Sequence, residues 1–135
     1  MKLAAAGSLA IALLMALSLA AQDKEPLTHT KDSFDTVKAN VKAGKAVIVD
    51  VREQDEWDAG HLKGAILIPQ SKLKVEAEAA ELAKKLDKSK VIYTHCRAGG
   101  RALTCGEILK KQGYDVRPLK PGYEDLIKAG FEKAK

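Results

Sequence analysis

A chain of 135 residues has room for one domain built on one core, so multidomain readings are set aside. The formal charge of +5 comes from lysines scattered among glutamates and aspartates, without a basic block or interleaved aromatics. That pattern describes a solvated surface and excludes a dedicated nucleic-acid-binding protein.

Residues 1–20 read as a secretory signal peptide. Lys2 precedes the apolar run Leu3 to Leu19, and Ser18-Leu19-Ala20 supplies small residues for cleavage after Ala20 or Ala21. A retained membrane anchor competes, because the run approaches the length of a span. Its alanine content and small-residue exit favour removal, which predicts a periplasmic or secreted protein with no stable membrane association after processing. Such a compartment allows disulfides to persist. Residues 21–30, polar and interrupted by Pro26, read as a flexible lead-in to a domain over 31–135.

Asp32 or Ser33 can cap a helix in which Phe34, Val37 and Val41 share a face, and Gly44 stops it. Ala46 to Val51 is a nearly unbroken apolar run, as a strand covered on both faces requires. Ala65 to Ile68 repeats the pattern up to Pro69. Ala79, Leu82, Ala83 and Leu86 mark a helix over 72–86 whose lysines face solvent. Val91 to Thr94 is a third buried strand, followed after a loop by a helix carrying Cys105, Ile108 and Leu109 and ending at Gly113. Tyr114 to Arg117 reads as a last strand, and Tyr123, Leu126 and Ile127 as the inner face of a closing helix. The alternation predicts an α/β fold with a mainly parallel central sheet and helices on both faces. Right-handed crossovers align the strand ends along one edge, where such folds bind ligands. Asp50 and Cys96 both fall there.

Cys96 leaves a buried strand at the head of the loop Cys96-Arg97-Ala98-Gly99-Gly100-Arg101, which runs into a helix. Glycines permit a tight turn whose amides face the sulfur, and Arg97 and Arg101 add positive charge that favours a thiolate and an anionic substrate. An inert cysteine before an ordinary glycine turn is the plainer reading. The two arginines weigh against it.

This loop, together with Asp50-Val51-Arg52-Glu53, Glu56-Trp57, Gly60-His61-Leu62, Gly64-Ala65, Ile68-Pro69 and Gly113-Tyr114, resembles the rhodanese family of thiosulfate sulfurtransferases over roughly residues 30 to 130. The resemblance implies a rhodanese-like fold, Cys96 as the nucleophile that carries sulfur as a persulfide, thiosulfate as anionic donor, and cyanide or a thiol as acceptor, by two-step covalent catalysis. The chain departs from the family at Pro121-Gly122 and Leu126, which read as packing positions. His95 and Asp50 are supporting candidates. Asp50 could accept hydrogen bonds from loop amides, Arg52 could pair with Asp50 or Glu53 or face substrate, and a structural Asp50–Arg52 pair is favoured. His95 reads as a satisfied structural histidine, and Trp57 as core packing at the site's shoulder.

Three other functions compete. A sulfur carrier without turnover shares the first chemical step. A phosphatase or an arsenate reductase would use a His-Cys loop ending in Arg, but those loops enclose one residue more than Arg97-Ala98-Gly99-Gly100. No metal or other cofactor is expected, because the spacing of Cys96 and Cys105 is unlike that of structural zinc pairs. A disulfide between them would disable the nucleophile. Cys105, on the apolar face of its helix, is expected to pack instead.

Overall fold

The computed structural model describes residues 25–135. The expected signal peptide therefore lies outside the described residues. Among the described residues no helix is long and apolar enough to cross a membrane.

Helix α1 (Phe34–Lys42) starts where the Ser33 hydroxyl accepts the Thr36 N–H at 3.1 Å, and it ends before Gly44 turns left-handed at φ +72°. Strand β1 (Ala46–Asp50) follows. Next come helix α2 (Gln54–Ala59), strand β2 (Ile66–Leu67) and the helices α3 (Gln70–Leu73) and α4 (Glu76–Ala83). Strand β3 (Val91–His95) leads through the cysteine loop into α5 (Gly100–Lys111), and β4 (Asp115–Val116) and α6 (Tyr123–Lys128) close the chain.

Among the described residues four strands pair in parallel in the order β2-β1-β3-β4. Because side chains alternate across a strand, the central pair feeds two cores. Val49 and Ile92 meet Leu73, Ala79, Ala102, Cys105 and Leu109 from α3, α4 and α5. Ile48 and Tyr93 meet Val37, Tyr123 and Leu126 from α1 and α6 on the other face. The fold is thus the expected α/β sandwich with helices on both faces, and Asp50 stands in register with His95 at the sheet edge that carries the loop.

Three expectations need correction. Helix α2 was not anticipated, since its six residues hold one large apolar side chain and bury none. Its reciprocal Glu53–Glu56 capping box holds it instead. The helix expected over 72–86 is two short ones, because Val75 takes an extended conformation at φ −88°, ψ 109° and caps α4. The flexible lead-in is, from Leu27 onward, held against the domain: Leu27 packs on the core and the Thr30 N–H donates to the Pro118 carbonyl at 2.8 Å.

Candidate active site

Cys96 follows directly on β3, and its loop passes into the N-terminus of α5 at Gly99, whose φ of +94° a residue with a Cβ rarely adopts. The Gly99 N–H donates to Cys96 Sγ at 3.1 Å. It is the one loop amide within hydrogen-bond reach of the sulfur among the described residues, so the expected ring of inward amides reduces to a single directed donor. The Cys96 carbonyl accepts the Tyr123 N–H at 2.9 Å, which ties the loop to α6. Only 1% of Cys96 is exposed, so at rest the loop is closed over the sulfur.

The two arginines have different environments. Arg101 grips Glu56 of α2 through two bonds, of 2.6 and 3.0 Å, so much of its charge is already matched. Arg97 is exposed and has no acidic partner among the described residues. It lines two depressions. The smaller, about 220 Å³, is lined by Arg52, Glu56, Ala59, Gly60, Tyr123 and Glu124 as well as Arg97. The larger is an open groove of about 780 Å³, whose walls include Phe34, Ala98, Lys120, Pro121, Gly122 and Lys128. Pro121 and Gly122, read from sequence as packing positions, therefore belong to the rim of the site. Gly100 is exposed and leaves room for a side chain.

Asp50 does not bind the cysteine loop. Both of its oxygens are taken by Arg52, whose backbone N–H and Nε donate to Oδ1 at 3.0 Å and whose Nη2 reaches Oδ2 at 2.7 Å. Arg52 also donates to the Gly60 carbonyl at 2.8 Å and stacks on the Tyr123 ring, its carbon 4.3 Å from the centroid. The favoured structural pair is what the structure contains, and it braces the wall of the smaller depression. His95 is fully buried, and burial pushes its pKa below the ordinary value against the opposing pull of Asp50. It is not the satisfied residue expected: Nδ1 lies 3.3 Å from the Cys96 carbonyl, while Nε2, 3.6 Å from Asp50, has no hydrogen bond among the described residues. Neither nitrogen bonds the sulfur. Trp57 is not core either. It is half-buried and stacks on His61 with ring centroids 3.6 Å apart.

The Glu56–Arg101 pair joins α2 to the cysteine loop, and Arg101 holds the Glu56 carboxyl at about 2, below its ordinary 4.5. A carboxyl depressed on folding stabilises the protein above its unfolded pKa, and that contribution disappears as pH falls from about 4.5 to 2. Because the pair is partly exposed and screened, Glu56→Gln is expected to cost about 1 kcal/mol at pH 7 and almost nothing at pH 2. Urea midpoints across that range would show it as a flatter acid limb.

Cys105 lies fully buried in the core beneath the loop, and both cysteines are free thiols. Burial first, and the neighbouring Cys96 second, push the Cys105 thiol up to about 12, so it is no nucleophile at neutral pH. Cys105→Ala should therefore leave the chemistry of Cys96 intact and lose about 1 kcal/mol of stability to the small cavity. Steady-state rates and denaturant midpoints measure the two effects separately. Lost turnover in a folded variant would make Cys105 a resolving thiol.

Residues 33–129 match the profile of the family described as the Rhodanese-like domain. Thiosulfate sulfurtransferase GlpE of Coxiella burnetii is 32% identical over 85 residues, 62% of this chain and 74% of that protein. YrkF, a candidate sulfur carrier protein of Bacillus subtilis, is 30% identical over 95 residues, 69% of this chain; the match spans 48% of that protein, about half its length. The human single-domain sulfurtransferase TSTD1 superimposes with a TM-score of 0.60 at 23% identity, over 77% of this chain and 96% of that one, a likeness of fold. By the family match across most of its length, and by a cysteine loop set between β3 and α5 as described, this chain belongs to the rhodanese-like family of sulfurtransferases and sulfur carriers.

Proposed function

We propose that the protein is a thiosulfate sulfurtransferase in which Cys96 carries the transferred sulfur. The observation behind this reading is the Cys96 sulfur under a directed Gly99 N–H, at the head of a helix and beside Arg97, a cation with no acidic partner among the described residues. The Cys96 thiolate attacks the outer sulfur of thiosulfate; a bond forms from Sγ to that sulfur, and the S–S bond of the donor breaks with its electron pair leaving on sulfite. The Gly99 N–H stabilises the anionic sulfur, and Arg97 meets the dianionic donor. Cyanide or a thiolate then attacks the terminal sulfur of the persulfide, leaves as thiocyanate or as a new persulfide, and returns Cys96 to the thiolate. The charge-neutralised Arg101 is the scaffold of the loop in this scheme, and Arg97 is the donor-facing charge.

A sulfur carrier that hands its persulfide to a partner protein is the second reading, favoured by the likeness to YrkF. One experiment covers both. Protein incubated with thiosulfate should gain about 32 Da, one sulfur atom, on the peptide containing Cys96, with release of one equivalent of sulfite. Continuous thiocyanate production on adding cyanide supports the enzyme, and loading without turnover supports the carrier. Absence of both the mass gain and sulfite would overturn the proposal. We further propose export to the periplasm or medium, on the strength of the Lys2, apolar-run and Ser18-Leu19-Ala20 pattern; a mature N-terminus at Ala21 or Gln22 is the expected result.

A further inference from the structure

The residues matched to the family begin at 33, and residues 27–32 ahead of them form a strap that touches the domain and the cysteine loop. This strap is fastened at several points. The Leu27 side chain fills the space over Gly106 beside Val116 and Pro118, so closely that a Cβ on Gly106 would come within 2.8 Å of it. Thr30 donates to Pro118, and the Asp32 carboxylate accepts the Tyr93 hydroxyl at 2.7 Å and Arg117 at 2.9 Å.

Between these anchors, His29 Nε2 lies 2.9 Å from the Gly99 carbonyl oxygen. A carbonyl only accepts, so Nε2 carries the hydrogen and donates. The same oxygen receives the first helical bond of α5, from the Leu103 N–H, at a longer 3.3 Å. Gly99 thus has its carbonyl held by the strap and its N–H on the Cys96 sulfur. As a glycine it has other conformations open to it; its N–H and carbonyl lie on adjacent peptide units joined at the Cα, so a bond that holds the carbonyl narrows the φ and ψ values open to the residue while its N–H reaches the sulfur. The position is closed by the strap as well, since a Cβ on Gly99 would sit 3.0 Å from His29 Nε2 and 2.8 Å from the Lys120 carbonyl.

We propose that His29 is a positioning residue for Cys96: its donated hydrogen bond locks Gly99 in the left-handed conformation that keeps the single directed N–H on the sulfur. The proposal rests on the reading of Cys96 as the sulfur-accepting nucleophile. The strap is therefore a working part of the site, although it lies outside the residues matched to the family.

The test compares a side chain that keeps the donor, His29→Gln, with two that fill the space without one, His29→Phe and His29→Leu, all in the full chain. Two rates are read: alkylation of Cys96 by iodoacetamide, and persulfide formation with thiosulfate. Both cysteines are buried, but the Cys105 thiol is also pushed up to about 12, so alkylation, located by the mass of each cysteine peptide, reports Cys96. His29→Gln should stay within about twofold of the parent in both rates, while the Phe and Leu variants, folded and melting near the parent, should be slower by about tenfold, the scale of one oriented hydrogen bond. Parent-like rates in either donor-less variant, or a Gln variant as slow as they are, would overturn the assignment. If the parent forms no persulfide yet the alkylation order holds, the sulfur-transfer reading fails and the role of His29 stands.

Discussion

Cys96→Ala is expected to abolish persulfide formation and sulfur transfer, by at least about 10⁴-fold in rate, while leaving a folded domain. The chemistry needs an atom that can both attack the donor and hold the transferred sulfur, and among the described residues no other side chain at the sheet edge offers one. His95 is buried with its nitrogens directed at Asp50 and a backbone carbonyl. Cys105 is sealed in the core, with its thiol pushed up to about 12. The structural cost is small: one sulfur leaves a packed site and the Gly99 N–H loses its acceptor, together about 1 to 3 kcal/mol. Cys96→Ser separates the two effects, because the hydroxyl can still accept from Gly99 but does not form a stable sulfur adduct. Sulfite release, thiocyanate production and the mass of the Cys96 peptide would all be read on both variants. Turnover above background in either would remove Cys96 from the mechanism.

The parts of this molecule that could be read from sequence are those in which local pattern and tertiary role coincide. Strands β1 and β3 are apolar runs because both of their faces are covered, and Asp50 and Arg52 pair because two residues along a strand end bring them together. The cysteine loop is contiguous, so its composition announces its position. Features set by distant partners were not legible. Nothing local to Glu56 or Arg101 distinguishes a loop-anchoring pair from two solvated charges, since the partners are brought together by the packing of α2 against the loop. The dense polar segment around Pro26 looked like a tail because Leu27 is a lone apolar residue there, and its slot over Gly106 exists only once α5 and β4 are assembled. Helix α2 lacked periodicity because it buries nothing; the one sign of it was Glu53 and Glu56 at capping-box spacing.

Gly122 shows most sharply how a position dismissed as packing can set the site. Its backbone, at φ −89° and ψ −176°, is extended and open to any residue, so a substitution there carries no torsional penalty. The penalty is steric: a Cβ would fall 1.7 Å from the Arg97 carbonyl oxygen and 2.3 Å from the carbonyl carbon, both backbone atoms with no rotamer to escape through. The next residue, Tyr123, holds the Cys96 carbonyl with its N–H, so the loop and the start of α6 cannot separate without breaking that bond. Gly122→Ala should therefore destabilise the domain by about 3 kcal/mol. That corresponds to a fall in Tm of roughly 10 to 20 °C. Whatever fraction folds should transfer sulfur at least about 10²-fold more slowly, because relief of the clash displaces Arg97 and with it the peptide links around the sulfur. Gly100→Ala is the control for stability: its Cβ meets nothing, the residue is helical, and alanine there should keep or raise Tm. Thermal unfolding by circular dichroism on the two variants decides the matter. A Gly122→Ala protein that melts with the parent would mean that α6 yields freely at its first turn, and the loop would then owe its shape to Gly99 and the strap alone.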